Sequence, residues 1–183
     1  TTLSDTNTID GLFIEKISKN NINYNTITNI ESNIFSAINT AYANDGLSIS
    51  VQKNTKVKQP IHIININTEN NVFANPRTLI VVEQSSELEV IQTFVCPNAK
   101  ETFTNALTEI FVKENAKCTF TKVENEGAEN ALISTEDVKQ LNDSTFQINT
   151  ITKRQEFVRN GLNIAVDGQN CSTYLNGAYS PIN

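Results

Sequence analysis

The chain has 183 residues, 38% of them hydrophobic, a net charge of −6 and an isoelectric point near 4.8. That length suits one domain, and the acidic balance excludes a nucleic-acid binder driven by counterion release or a protein held to anionic lipid by a basic face. No apolar run approaches the roughly 20 residues that span a bilayer, and Thr1-Thr2-Leu3-Ser4-Asp5 has neither the basic nor the apolar region of a secretory signal, so the expected location is cytoplasmic.

Residues 1–8 are polar and expected to fray. Gly11 to Ile17 reads as a short strand, and the asparagine-rich stretch 19–26 as a loop. Thr28 and Glu31 have the spacing of a capping box. Ile27, Ile30, Ile34, Phe35, Ile38, Ala41 and Tyr42 then fall at helical intervals, which predicts one amphipathic helix. Asn44-Asp45-Gly46 should end it, with a left-handed glycine or asparagine. Beyond Gly46 the period becomes strand-like. Leu47, Ile49 and Val51 alternate with serines, and Ile61, Ile63, Ile64 and Ile66 follow Gln59-Pro60. The stretch 67–76 is turn-rich, and 78–95 is strand-forming. Ala106, Thr108, Ile110 and Val112 alternate on one face, with Leu107, Glu109 and Phe111 on the other. Residues 124–130 read as an acidic loop, 148–162 as less regular, and 164–168 as a return to the pattern. The expected organisation is a strand and helix segment over 1–45 packing on a core over 46–183.

A cadence runs through that core. Ser86-Glu87-Leu88-Glu89-Val90 is a small residue followed by polar, apolar, polar, apolar. The same order occurs from Ala116, Ser144 and Cys171, and most weakly from Thr55. These leading positions lie 31, 30, 28 and 27 residues apart, which is a repeat signature. An antiparallel sandwich would need frequent hairpin signals, but there are only six glycines and three Asp-Gly pairs. A β-solenoid needs the same side chain in the same place once per coil, with coils stacked about 4.8 Å apart. Val57, Leu88, Cys118 and Phe146 should then form one interior column, which Thr173 breaks. Val90, Phe120, Ile148 and Leu175 should form the next, which Gln59 breaks. The 27 asparagines could bridge coils at the turns by stacking.

Three segments carry a resemblance to a known family. They are Asn44-Asp45-Gly46-Leu47-Ser48-Ile49 with Gln59-Pro60-Ile61-His62-Ile63; Pro76-Arg77-Thr78-Leu79-Ile80-Val81; and Arg159-Asn160-Gly161-Leu162 with Asp167-Gly168 and Leu175-Asn176-Gly177-Ala178-Tyr179. In this order they resemble the core of the SufB/SufD family. The helix-to-strand passage Ala37 to Gly46 is similar to the SufD branch. A SufB-type chain would place Glu-Gly-Cys where this one has Gln92-Thr93-Phe94, with Cys96-Pro97 two residues later. The resemblance implies an all-β fold, a right-handed parallel β-helix with a short N-terminal strand–helix segment. It implies a non-catalytic scaffold of the SufBCD complex, which assembles iron–sulfur clusters, with SufB and SufC as partners and no cofactor of its own. It also implies that the chain is a core fragment, ending before the regions that meet those partners, and able to form a homodimer. Without the resemblance, a polysaccharide-acting β-helix enzyme and an extracellular β-solenoid adhesin remain open.

No catalytic, cofactor or metal set is expected. His62, the single histidine, should point outward from its strand, and a metal site normally needs several ligands. The three cysteines are spaced like no zinc or redox motif. Cys118 reads as an interior apolar residue. Cys96, beside Pro97, and Cys171, at the small-residue corner, remain the two thiol candidates for contact with iron or sulfide. Glu87 and Glu89 share one face and should be solvated; a glycosidase would instead need two acids a fixed distance apart. No Gly-rich phosphate loop occurs.

Overall fold

A computed structural model describes residues 9–153 and 157–180. The segment 1–8, expected to fray, lies outside the described residues, as do 154–156 and 181–183. Twelve strands and one helix appear among those described: β1 Leu12–Lys16, α1 Ile34–Tyr42, β2 Gly46–Val51, β3 Ile61–Ile66, β4 Phe73–Ala74, β5 Arg77–Val82, β6 Glu87–Val95, β7 Phe103–Val112, β8 Lys117–Asn125, β9 Ala131–Gln140, β10 Thr145–Lys153, β11 Phe157–Val166 and β12 Ser172–Ser180. They form a parallel β-solenoid of two sheets. One runs β1-β2-β5-β7-β9-β11, with β4 also beside β7, and the other runs β12-β10-β8-β6-β3. Each coil contributes one strand to each sheet. Only β1 pairs antiparallel.

The repeat is seen in the register. Leu88 lies opposite Cys118, Cys118 opposite Phe146, and Phe146 opposite Thr173. The bridge between Lys56 and Glu87 sets Val57 beside Leu88. All four apolar members of this column are buried in one core cluster. The second column needs a correction. Ile61, not Gln59, stands opposite Val90. Five steps from Lys56 to Ile61 face three steps from Glu87 to Val90. The two extra residues sit where Pro60 can donate no ladder hydrogen bond. The column is therefore Ile61, Val90, Phe120, Ile148 and Leu175, apolar from end to end.

The corner before each cadence has one construction. Asn54, Ser85, Asn115, Asp143 and Asn170 all hold a left-handed φ between 55° and 63°. Short polar residues tolerate that conformation best. The small residue after each tucks inside: Ser86, Ala116 and Ser144 are buried. Asparagine stacking is partial. Asn115 Nδ2 donates to Ser85 Oγ at 3.1 Å, and Asn170 Nδ2 to Asp143 Oδ1 at 3.1 Å. Of the stretch 148–162, read as less regular, the described residues belong to β10 and β11, each in parallel register with its neighbours.

The helix departs most from expectation. It starts at Ile34, capped by Asn33, whose Oδ1 accepts from Phe35 N at 3.0 Å and Ser36 N at 3.4 Å. The Thr28/Glu31 capping box does not form, because Asn29 Oδ1 takes the amides of Glu31 and Ser32 instead. The apolar stripe faces the protein only in part, with Ile27, Phe35 and Ile38 half-buried. Ser36 and Asn39 are buried, while Ile34 is 68% and Tyr42 63% exposed. The outer face of the first sheet is polar where the helix lands, so the helix turns its polar side to it. Asn39 Nδ2 donates to the carbonyls of Pro76 at 3.0 Å and Asn105 at 2.7 Å. The helix stop is also different. Ala43 is extended, with φ −64° and ψ 108°. Gly46 is the first residue of β2, and a Cβ there would lie 2.2 Å from Arg77 O. Its lack of a side chain serves coil contact rather than a left-handed turn.

The segment leading into α1 covers the first sheet. Ile17 and Ile27 pack on Leu79, Val81 and Phe111. That cover explains why all six residues of β5 are buried, as expected of a strand enclosed on both faces.

Candidate functional site

The alternation that places Cys118 and Phe120 inward continues along β8 and turns Lys122 and Glu124 inward too. Across the interior, Val138 is followed back along β9 by Glu136 and Ser134. The interior thus has two halves. Beside the left-handed corners it is aliphatic; toward the opposite corners it is charged and polar.

Lys122 is the centre of the polar half. Its Nζ donates to Glu136 Oε2 at 2.8 Å and Asn160 Oδ1 at 2.7 Å, and lies 3.4 Å from Glu124 Oε1. Ser134 Oγ donates to Glu136 Oε1, and Thr152 Oγ1 to Glu124 Oε2, each at 2.5 Å. Asn160 Nδ2 donates to Glu124 Oε2 at 3.1 Å. One coil earlier, Thr108 Oγ1 donates to Gln92 Oε1 at 3.3 Å. Two carboxyls and one ammonium without solvent are tolerable only when held this closely. The arrangement can keep a fixed, dry, charged centre between three successive coils. The reading of 124–130 as a solvated acidic loop is corrected here: β8 runs to Asn125, and Glu124 and Glu126 are buried.

Glu126 lies beyond the end of β8. Its Oε1 accepts from Thr104 Oγ1 at 2.9 Å and Asn67 Nδ2 at 3.2 Å, and its Oε2 is buried without a hydrogen-bond partner. Burial pushes its carboxyl up to about 7; the Thr104 hydroxyl opposes that shift and the charge of Glu124 adds to it.

A second buried pair lies on the outer face. Arg77 Nη2 donates to Glu109 Oε2 at 2.5 Å, and both side chains are fully buried. Arg77 Nη1 reaches Thr40 Oγ1 at 3.0 Å, and the guanidinium lies over the Tyr24 ring, 4.7 Å from its centre. The backbone N–H of Asn25 also donates to Glu109 Oε2. The Thr40, Tyr24 and Asn25 contacts tie the segment before β2 to this pair on the sheet.

The two thiol candidates occupy different coils and opposite corners. Cys96, in the turn after β6, donates to Ala99 O at 3.1 Å. Cys171, before β12, donates to Leu141 O at 3.1 Å and accepts from Ser144 Oγ at 3.7 Å. Both are half-buried, and neither is brought to the other or to the Lys122 network. Cys118 is fully buried, and desolvation pushes its thiol up to about 12. His62 is exposed as expected, with Nε2 2.8 Å from Thr93 Oγ1. Glu87 and Glu89 face outward, but their ladder neighbours are Lys117 and Thr119. Lys56 caps Glu87 and holds its carboxyl below the usual range. No paired acids of a glycosidase are formed there.

Sequence reasoning missed Lys122, Glu124, Glu136, Arg77 and Glu109. For the first two a signal existed. Strand parity fixed by Cys118 and Phe120 already points Lys122 and Glu124 inward.

A stack of parallel coils defines the class as a β-solenoid. Residues 64–182 match the model of the family described as SUF system FeS cluster assembly, SufBD core domain, and the chain belongs to that family. It is 24% identical over 139 residues to an iron–sulfur cluster assembly SufBD family protein of Synechocystis sp., covering 70% of this chain and 31% of that protein. It is 25% identical over 97 residues to the iron–sulfur cluster assembly protein SufD of Bacillus subtilis, covering 52% and 22%. To SufB of the same organism it is 32% identical over 95 residues, covering 51% and 20%. The chain therefore spans less than a third of the length of each of these relatives. The Arg77-Thr78-Leu79-Ile80 stretch opens β5, and Arg159 to Tyr179 occupies β11 and β12.

Proposed function

We propose that this chain is the solenoid core of a SufD-type scaffold, a non-catalytic subunit of a SufBCD complex for iron–sulfur cluster assembly. The observation that carries the reading is the SufBD core match over 64–182, which coincides with the stacked coils. Supporting it, the three cysteines are dispersed between a core column and two opposite corners, not gathered on one face. The cluster is cargo of the complex, and SufC supplies the nucleotide chemistry. Three free thiols suit a reducing compartment such as the cytoplasm. Without its partners, the exposed end at β11 and β12 pairs two copies.

The test is co-expression of the parent protein, tagged, with SufB and SufC. Both should co-purify in fixed ratio. A folded chain that retains neither partner overturns the reading. A SufB-type role is the second reading, favoured by the higher identity to the SufB relative. Complementation separates the two. Rescue of a strain lacking SufD and not one lacking SufB is expected, with Cys96→Ser retaining it.

A further inference from the structure

At the first coil the two sheets part. One wall comes from β1 and β2, the other from β3, and between them lies a cavity of about 680 Å3. That size is typical of small-molecule sites. Leu12, Leu47, Ile61 and Ile63 line it, and so do Thr104 and Glu126. Glu126 is 1% exposed, and its Oε2 has no partner. A buried acceptor without a donor is costly until one is supplied.

The described cations nearby are committed elsewhere. Arg77 also lines the cavity, but its guanidinium is held by Glu109. Lys122 is held by Glu136, Asn160 and Glu124. His62 reaches outward to Thr93. Of the two carboxyls among the lining residues, Asp45 accepts from the Gly46 amide, while Glu126 has two neutral donors on one oxygen and none on the other. We propose that the cavity binds a primary ammonium carried on an aliphatic body, the ammonium on Glu126 and the chain between Leu12 and Ile63. A hydrated divalent ion fits poorly, since it asks for six or more oxygen ligands and Glu126 offers one unpartnered oxygen. A carboxylate ligand would meet Glu126 with Glu124 behind it. The site is separate from the assembly reading and stands or falls alone.

The probe is n-hexylammonium, compared with n-hexanol and hexanoate, titrated into the chain by isothermal calorimetry and methyl NMR. Hexylammonium should bind and shift the Leu12, Ile61 and Ile63 methyls. Affinity should rise about fourfold for each added methylene from butyl to hexyl. Hexanoate should bind at least about tenfold more weakly. Glu126→Gln should lower hexylammonium affinity to that of hexanol and leave hexanol unchanged. Ile63→Phe, which crowds the apolar wall beside Leu12, should weaken both alike; it decides the matter if Glu126→Gln fails to fold, since unchanged affinities there overturn the site. Equal affinity for hexylammonium and hexanol in the wild type overturns the proposal. So does undiminished hexylammonium binding in Glu126→Gln, or no saturable binding below about 10 mM.

Discussion

Glu126 makes stability depend on pH in a defined direction. Its carboxyl titrates at about 7 in the fold against 4.5 for the ordinary group. The folded state therefore binds the proton more tightly than the unfolded chain does. The contribution is intact below about 4.5, falls as pH rises to about 7, and is flat above, a loss approaching about 3 kcal/mol. Urea unfolding at pH 5, 6, 7 and 8 should show a falling midpoint, and Glu126→Gln should flatten that slope. An unchanged slope in the variant would assign it to other groups. Cys118 supports a second expectation. Buried, and with its thiol raised to about 12, it should resist an aromatic disulfide reagent in the native protein. Cys96 and Cys171 should react first, and Cys118 only in denaturant. The place of Cys118 is legible in the sequence because period-2 alternation and the coil repeat agree on it. The burial of Glu126 is not, because it lies past the end of β8, where the period no longer says which way a side chain points.

The element with the most to lose is α1 and the segment before it. Their grip is polar: Asn39 on two carbonyls, and the Arg77–Glu109 pair beneath Tyr24 and Thr40. Removing one member leaves a buried charge alone, so Arg77→Met or Glu109→Leu should cost about 3–5 kcal/mol. Arg77→Met with Glu109→Leu should recover much of that, since a hydrophobic pair removes both charges. Chemical denaturation of the three variants measures it, and a fully additive double variant would sink the pairing. This contact is illegible in sequence. The two residues lie 32 apart and meet only because adjacent coils stack, while α1 misleads by exposing Ile34 and Tyr42. The corners, by contrast, are half legible. Their small residues show in the cadence, but the left-handed residue before each is asparagine, serine or aspartate without a fixed identity. Ser85, at φ 58°, should therefore accept glycine with a gain of up to about 1 kcal/mol and lose more than that with valine.

The solenoid is unequal at its ends. At the first coil, antiparallel β1 occupies the edge of β2, so no parallel strand of another copy can pair there. At the other end β11 and β12 each have one described neighbour, β9 and β10. There the aliphatic column finishes in Leu175, 60% exposed, flanked by Tyr174 and Tyr179 at 54% and 66%. An open strand edge with exposed apolar side chains is a template for pairing. Head-to-tail stacking would need this end to fit the first coil of another copy, which β1 obstructs. Two copies of the same end meeting about a dyad face no such obstruction, and closed pairing gives dimers rather than filaments. Sedimentation of the chain alone should show a reversible dimer by about 100 µM. Leu175→Lys with Tyr179→Lys should leave a folded monomer, because like charges would face each other across the dyad. Ile64→Lys, on the exposed face of β3 at the opposite end, should leave the dimer intact. A monomeric wild type, or dimerisation lost in Ile64→Lys and kept in the β12 variant, would move association away from this end.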